Sequence, residues 1–445
     1  MNLRQTIHSL LAIALLGASC APQSGAAAPA PASVVAPTPP PAGNHAAGLI
    51  ASPEADWPEW RGKYRDGICD EKELLQSWPE GGPKLLWKAD GLGKGWSSPI
   101  IVAGTLYITG DVGDDLVLYA YDLDGKLKWK ATNGESWRNQ YPGARACCAY
   151  SEGRLYHMNA HGRAACLDPA MGKELWAVNV LQEFDAKNIT WAIAECLLVD
   201  GPRLIVTPGG AKAAMAALDK TTGKTLWASA PIEGDRAAYS SPILFEYGGL
   251  RHLVNFTSRH GLCVDADTGR LLWTVPHKNR FDVNVSTPTY ADGGVFLVAP
   301  DGPGGTLYRL RVSGKDEQAE KAWASPLDTL TGGTLLVEGG LYGAGYAGRA
   351  LNGWMGVDWK TGQARFTTRD IPSGSAIWAD GRMYILSESG PLWLVKPTPT
   401  GFDVCGRVTL VAGKHNDVWA HPVLRDGRLY LRYHDALWCY DVRAK

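Results

Sequence analysis

A glutamate, a histidine and two adjacent cysteines are the side chains of this sequence best suited to chemistry. A repeat in the sequence puts three of them in register. Aligning the successive Gly-x-Leu-Tyr turns places Ser98, Cys147, Glu195, Ser241, Thr287, Gly333, Ser375 and His421 at one equivalent position. Five of these are Ser, Thr or Gly, the small types that tight convergence on an axis demands. Cys147, Glu195 and His421 depart from that pattern. A carboxylate and an imidazole facing each other in a water-poor funnel can bind a metal ion or shuttle a proton, so Glu195 and His421 are the candidate catalytic pair. The plainer expectation is that both hydrogen-bond neighbouring backbone or channel water. Glu195 also lies in an atypical stretch, WAIAECLL, where the register can slip by one. Cys147 is followed directly by Cys148, a rare adjacency. Other constellations are missing: no Ser-His-Asp arrangement, zinc spacing, EF-hand run or Cys-x-x-Cys-His occurs. PDGPGG (300–305) lacks the strand–helix context of a phosphate cradle, and His260 and His277 stand isolated, as surface or turn residues do.

The elements that must hold these positions are written in a repeated phrase. AYDLDGKLKW, CLDPAMGKELW, ALDKTTGKTLW, CVDADTGRLLW and GVDWKTGQARF share a small residue, an apolar residue, Asp, a Gly turn and an aromatic. The small residue falls at Ala120, Cys166, Ala217, Cys263, Arg309, Gly356, Leu394 and Cys439, in steps of 38 to 51 residues. The copies at Arg309 and Leu394 are degraded: the first has a lengthened turn, the second no Trp. Short runs rich in Val, Ile, Leu and Tyr, bounded by Gly, Asp and Pro, precede each copy and read as strands. Four strands per unit of ~45 residues make a β-propeller blade. The expected fold is therefore all-β, an eight-bladed propeller of four-stranded blades. The last unit stops at LWCYDVRAK, one strand short, while PKLLWKAD (83–90) has no blade before it. Pairing these two pieces closes the ring and removes an exposed sheet edge. The repeated Asp is expected to cap its turn, and the Trp to dock between blades with its N–H on a backbone acceptor.

Residues 1–20 have the pattern of an export signal of lipoprotein type, with Arg4, an apolar stretch too short for a membrane span, and Gly-Ala-Ser-Cys ending at Cys20, the expected lipidation site. Residues 21–52, rich in Ala and Pro, read as a tether. The propeller is assigned to 53–445, with WPEWRGKYRDG packing on it. A net charge of −1, with no Lys-rich or Arg-rich run, gives no support for a nucleic-acid partner. Cys166, Cys263 and Cys439 occupy the repeat's small position and are expected to be core residues.

The repeat resembles the pyrroloquinoline-quinone (PQQ)-like propeller repeat first recognised in quinoprotein dehydrogenases, over roughly residues 56–445. WPEWRG, VTPGG, SSPILFEYGG and WAHPVLRDGRLYLR are similar to stretches of a widespread group of exported bacterial proteins of this class. The resemblance has two branches. In the dehydrogenases, a quinone and a calcium ion sit near the axis, and two adjacent cysteines joined in a strained ring lie against the cofactor. Cys147 and Cys148 match that pair. The calcium-binding Glu of those enzymes falls on Lys212 here, a cation that opposes Ca²⁺, and no counterpart of their second calcium ligand or catalytic Asp is present. The other branch, including the eight-bladed lipoprotein of the outer-membrane barrel-assembly machinery, is cofactor-free scaffold. The expectation is accordingly an exported, monomeric propeller, held to the membrane through its lipid anchor only and located at the periplasm or outer membrane. It would bind an envelope protein or small ligand, with no cofactor. A PQQ- or metal-dependent oxidoreductase of the axial funnel and a carbohydrate- or polymer-binding module are the alternatives.

Overall fold

The structure is a computed structural model that describes residues 45–314, 316–345, 352–411 and 417–444. The expected signal, Cys20 and most of the tether lie outside the described residues. Eight sheets, each antiparallel through its four main strands, follow one another along the chain: blade 1 (100–135), blade 2 (149–179), blade 3 (198–228), blade 4 (243–276), blade 5 (289–325), blade 6 (334–368), blade 7 (374–409) and blade 8 (423–441). The outermost strand of blade 8 is Lys84–Ala89, which pairs Trp87 with Cys439 and Lys88 with Trp438. The ring thus closes through the strand that the sequence left unpaired. One four-residue helix, Val180–Glu183, capped by Asn179, is the α-helix of the described residues.

The repeated phrase is an inter-blade clasp. The Oδ1 of Asp168 accepts the N–H groups of Ala170 and Met171, and Asp219, Asp265 and Asp358 hold their turns in the same way. The turn glycine is then covered by the Trp of the preceding blade. A Cβ on Gly172 would stand 2.6 Å from the Trp129 ring, so no larger residue fits. The indole N–H donates to a turn carbonyl: Trp129 to Pro169, Trp176 to Lys220 and Trp323 to Trp359 (2.9–3.1 Å). Across the seam, Trp87 covers Gly125 and donates to the Leu123 carbonyl at 2.8 Å. The closing strand therefore carries the same clasp as the seams of Trp129, Trp176 and Trp323. Arg432 pins the seam further: its buried guanidinium donates to Ser97, Thr109 and Gly93 of blade 1 and its entry loop.

Where the phrase degrades, other residues substitute. In blade 5 the small position is Leu307, opposite Trp323, and not Arg309. The Asp turn that would mark the register is replaced there by a long hairpin, Gly304–Ser313 and Asp316–Ser325. Trp273 of blade 4 then finds no turn carbonyl and donates to the buried Glu317 carboxylate (2.7 Å), which also meets His252 Nε2 at 2.6 Å. In blade 7 the Trp position is Gly406, opposite Leu394. The indole of Trp78, carried in from the N-terminal segment, lies on that glycine, and its backbone N–H bonds Cys405. Cys166, Cys263 and Cys439 are fully buried opposite their aromatic partners.

Residues before the expected tether boundary at 52 already pack on the propeller. Leu49 bridges Phe245, and Ile50 N–H bonds the Leu244 carbonyl at 3.1 Å. Leu49 and Ile50 are apolar enough to bury in an otherwise Ala- and Pro-rich stretch. His277, expected at a surface or turn, is buried against Phe256. Among the described residues no helix is long and apolar enough to cross a membrane.

Candidate functional site

The segment WPEWRGKYRDGIC runs into the axis and touches all eight blades. Trp57 exchanges backbone hydrogen bonds with Ile101 of blade 1, and the Pro58 carbonyl accepts from Tyr150 of blade 2. Arg65 donates to the carbonyls of Cys196 and Leu197 at the entry to blade 3 and of Pro242 at blade 4. Trp60 Nε1 donates to Thr287 Oγ1 beside blade 5, and Arg61 to the Thr334 carbonyl of blade 6. Ile68–Cys69 adds a short parallel strand to blade 7, and the Cys69 thiol meets the Leu424 carbonyl of blade 8. Arg65 also pairs with Glu59 at 2.7 Å, both buried; burial outweighs the arginine and lifts the Glu59 carboxyl above its ordinary value.

Above Trp60 and Arg61 lies a cavity of about 390 Å³. Its wall is aromatic. Trp96 stacks near Trp419 (centroids 4.8 Å), Trp419 near Tyr141 (5.5 Å), Tyr141 near Trp191 (6.5 Å) and Trp191 near Tyr239 (6.1 Å), a continuous belt around part of the mouth. Tyr141 and Phe281, each 47 % exposed, reach solvent at the rim. Two guanidiniums face the space. Arg61 forms the floor and Arg145 lies over Trp96 (5.4 Å); burial lowers both to about 10.

A chain of hydrogen bonds joins one residue each of blades 8, 1, 2, 3 and 4 at the hub. His421 N–H donates to Ser98 Oγ (2.8 Å), Ser98 N–H to Cys147 Sγ (3.2 Å), Cys147 N–H to Cys196 Sγ (3.2 Å) and Cys196 N–H to Ser241 Oγ (2.9 Å). The blade 3 member is therefore Cys196, and Glu195 points the other way. Strand alternation makes a one-residue slip a change of face. Glu195 accepts from Thr207 N–H (2.8 Å) and Thr207 Oγ1 (2.6 Å), with Asn255 alongside, inside the interface of blades 3 and 4. Burial raises its carboxyl to about 7 against the pull of those hydrogen bonds and of Arg65. Ser241, Thr287, Gly333 and His421 line the cavity, whereas Ser98, Cys147 and Ser375 complete the hub beside it, Ser375 donating to the Trp419 carbonyl. His421 is 2 % exposed, its Nε2 is 2.9 Å from the Thr331 carbonyl, and burial with the nearby Arg61 lowers it to about 3. It is neutral at physiological pH, with Nε2–H donating and Nδ1 free of protein partners. Glu195 and His421 are thus not brought together: one lines the cavity and the other does not.

The remaining sequence candidates also separate. Cys147 and Cys148 are buried free thiols outside the cavity lining. Lys212, which the resemblance sets at the position of the calcium-binding Glu, is exposed, donates to the Glu183 carbonyl and does not line the cavity. Among the described residues no group of three or more His, Cys, Asp or Glu side chains could hold a metal ion.

What sequence reasoning missed is the aromatic wall. Its signal was available in the period of the strands. Of the eight residues two before the hub positions, Trp96, Arg145, Ala194, Tyr239, Val285, Thr331 and Trp419 line the cavity and Ser373 does not, because i and i−2 share a face of extended chain. Trp60 and Arg61 carried no such signal, since they lie outside the repeat.

Eight four-stranded sheets clasped by an Asp turn, a glycine and a docking Trp define a β-propeller of the PQQ-like repeat class. The chain belongs to the family described as outer membrane protein assembly factor BamB, whose model matches residues 115–274 and 247–365. No curated protein matches the chain. Similar solved structures include BamB from Moraxella catarrhalis (12 % identity, 81 % of this chain and 98 % of that one, TM-score 0.55). A quinohemoprotein alcohol dehydrogenase from Comamonas testosteroni (14 %, 88 % and 81 %, 0.58) and the computationally designed Ika8 protein (11 %, 81 % and 100 %, 0.54) are also similar. An assembly factor, an enzyme and a designed chain share this architecture, so the likeness speaks to fold, and function rests on the site.

Proposed function

We propose that this chain is a binding and assembly propeller of the bacterial cell envelope, and that the aromatic funnel is its capture surface. The observation that carries the reading is the belt of Trp96, Trp419, Tyr141, Trp191 and Tyr239 around an open cavity floored by the chain's own Trp60. Large, stiff aromatics desolvate a partner at low entropic cost. Arg61 and Arg145 add a preference for a ligand that brings acceptors or negative charge.

The residues fit a quinone and calcium site poorly. Calcium takes six to eight oxygen ligands, and the cavity wall carries a single carboxylate residue, Asp301. The two adjacent thiols that would lie against a quinone are turned away from the cavity. Family membership supports an envelope setting, and the pattern of residues 1–20 supports export with lipidation at Cys20, the stretch up to His45 serving as tether.

The test is crosslinking in intact envelopes, comparing the native chain with Trp191→Ala/Trp419→Ala. We expect the double variant to fold normally and to lose its crosslinked partner at least tenfold. A stoichiometric absorption band on adding PQQ and Ca²⁺, with dye-linked alcohol oxidation, overturns the reading in favour of an oxidoreductase. Retention on polysaccharide, abolished by the same double variant, replaces the protein partner with a glycan. Cys20→Ser is expected to release the protein from the membrane fraction.

A further inference from the structure

The hub contains a second cysteine pair that adjacency in sequence does not reveal. Cys147 of blade 2 and Cys196 of blade 3 are 49 positions apart, yet they occupy successive places around the axis. Cys147 donates its backbone N–H to the Cys196 sulfur at 3.2 Å. Cys148 lies in the same apolar cluster as both, packed with Ile100, Leu118 and Leu155, but is outside the funnel lining. Cys196 also lines the funnel, whereas Cys147 stands behind it.

We propose that Cys147 and Cys196 form a dithiol that closes into an inter-blade disulfide when a small disulfide compound enters the funnel. The surroundings suit an attacking sulfur at Cys196. Burial alone would raise this thiol, but the Cys147 thiol and N–H, the Arg65 guanidinium and Ser241 outweigh it and hold Cys196 below its ordinary value. Arg65 is fixed there by donating to the Cys196 and Leu197 carbonyls. A thiolate, and not a thiol, attacks a disulfide. Burial and the neighbouring sulfur push Cys147 the other way, well above the ordinary range, as befits a resolving thiol that acts second.

The step balances as an exchange. The Cys196 sulfur attacks one sulfur of an aliphatic disulfide RSSR, forming a mixed disulfide and releasing RS⁻. Cys147 gives its proton to that leaving thiolate and attacks the Cys196 sulfur, releasing the second RS⁻, which takes the proton first lost by Cys196. Two protein thiols are oxidised, one RSSR is reduced and two RSH leave. The product ties blades 2 and 3 together at the funnel wall. It is independent of what the funnel captures.

The experiment treats the purified full chain with 2-hydroxyethyl disulfide, quenches by acid and maps the cysteines by peptide mass spectrometry. We expect a Cys147–Cys196 crosslink with a loss of 2 Da and Cys148 free. Cys148→Ser should keep the crosslink, and Cys147→Ser or Cys196→Ser should abolish it; for Cys147→Ser, a stable mixed disulfide on Cys196 should accumulate instead. The isosteric variants are checked by near-ultraviolet circular dichroism, and the native chain decides the question without them. A Cys147–Cys148 linkage overturns the proposal, and so does a native chain in which both thiols stay free after the compound has reacted to completion with a denatured control.

Discussion

Two buried ionisable side chains lose stability in the same direction of pH for opposite reasons, one held charged and the other held neutral. His45 stacks on Tyr64 and sits between Asp66 (2.6 Å) and Asp70 (3.0 Å). Burial lowers its pKa, but the two aspartates outweigh burial and raise it above 6.5. A raised histidine stabilises the fold fully below its unfolded value and loses that contribution as pH rises through its folded one. His45→Gln is therefore expected to cost about 1–3 kcal/mol at pH 6 and less at pH 9, read as denaturant midpoints. Glu195 reaches the same slope through its neutral form. Its carboxyl is raised from 4.5 to about 7 by burial, so the folded state prefers the neutral form. Wild-type stability should fall as pH climbs between those two values and then level off. Relative to it, Glu195→Gln should gain between pH 5 and pH 8, while Glu195→Ala loses about 1–3 kcal/mol by stranding Thr207 and Asn255. Neither variant should alter partner capture. A loss of capture in Glu195→Gln with folding intact would return this residue to the functional site.

At the scale of the element, the outer-strand Trp is the unit of blade cohesion, and blade 7 borrows its own from elsewhere. Trp78→Ala is expected to cost about 3–5 kcal/mol in equilibrium unfolding, as an internal Trp would. Gly406→Trp restores the repeat yet should destabilise the protein, because Trp78 already covers that spot. Combining the two should recover part of both losses, and simple additivity would disprove the substitution in trans. The contrast shows what the sequence could reveal. The closing strand was legible because Trp87 sits in the same phrase as Trp129 and Trp176, so its partner at Cys439 could be counted off. The blade 5 register was not, since the long hairpin erased the Asp turn that serves as ruler. Glu195 was misplaced because WAIAECLL lacks the Ser-Pro or Thr-Pro signal that marks the inner strands of blades 1, 4 and 5. Trp78 and the axial segment were invisible to repeat counting: each occurs once, and its place is set by tertiary contacts hundreds of residues away.

The whole molecule has one chain segment at both its centre and its perimeter. Residues 57–69 fill the axis and residues 84–89 complete the last sheet. Removing residues 1–44 should leave the thermal transition within about 2 °C. Removing 1–90 takes away the plug, Trp78 and the seam together and should abolish cooperative unfolding by calorimetry; a sharp transition in that shortened chain would show that the other strands suffice. The arrangement also dictates a timetable. The strand at 84–89 cannot complete its sheet until residue 441, at the far end of the domain, has emerged from the ribosome. Until then Trp87 lacks its strand partner Cys439. Contacts of such long sequence separation slow the final step, and an incomplete toroid with its hub open is prone to associate with its own kind. A chain released early, or clipped near its carboxyl end, should be the first target of quality-control proteases.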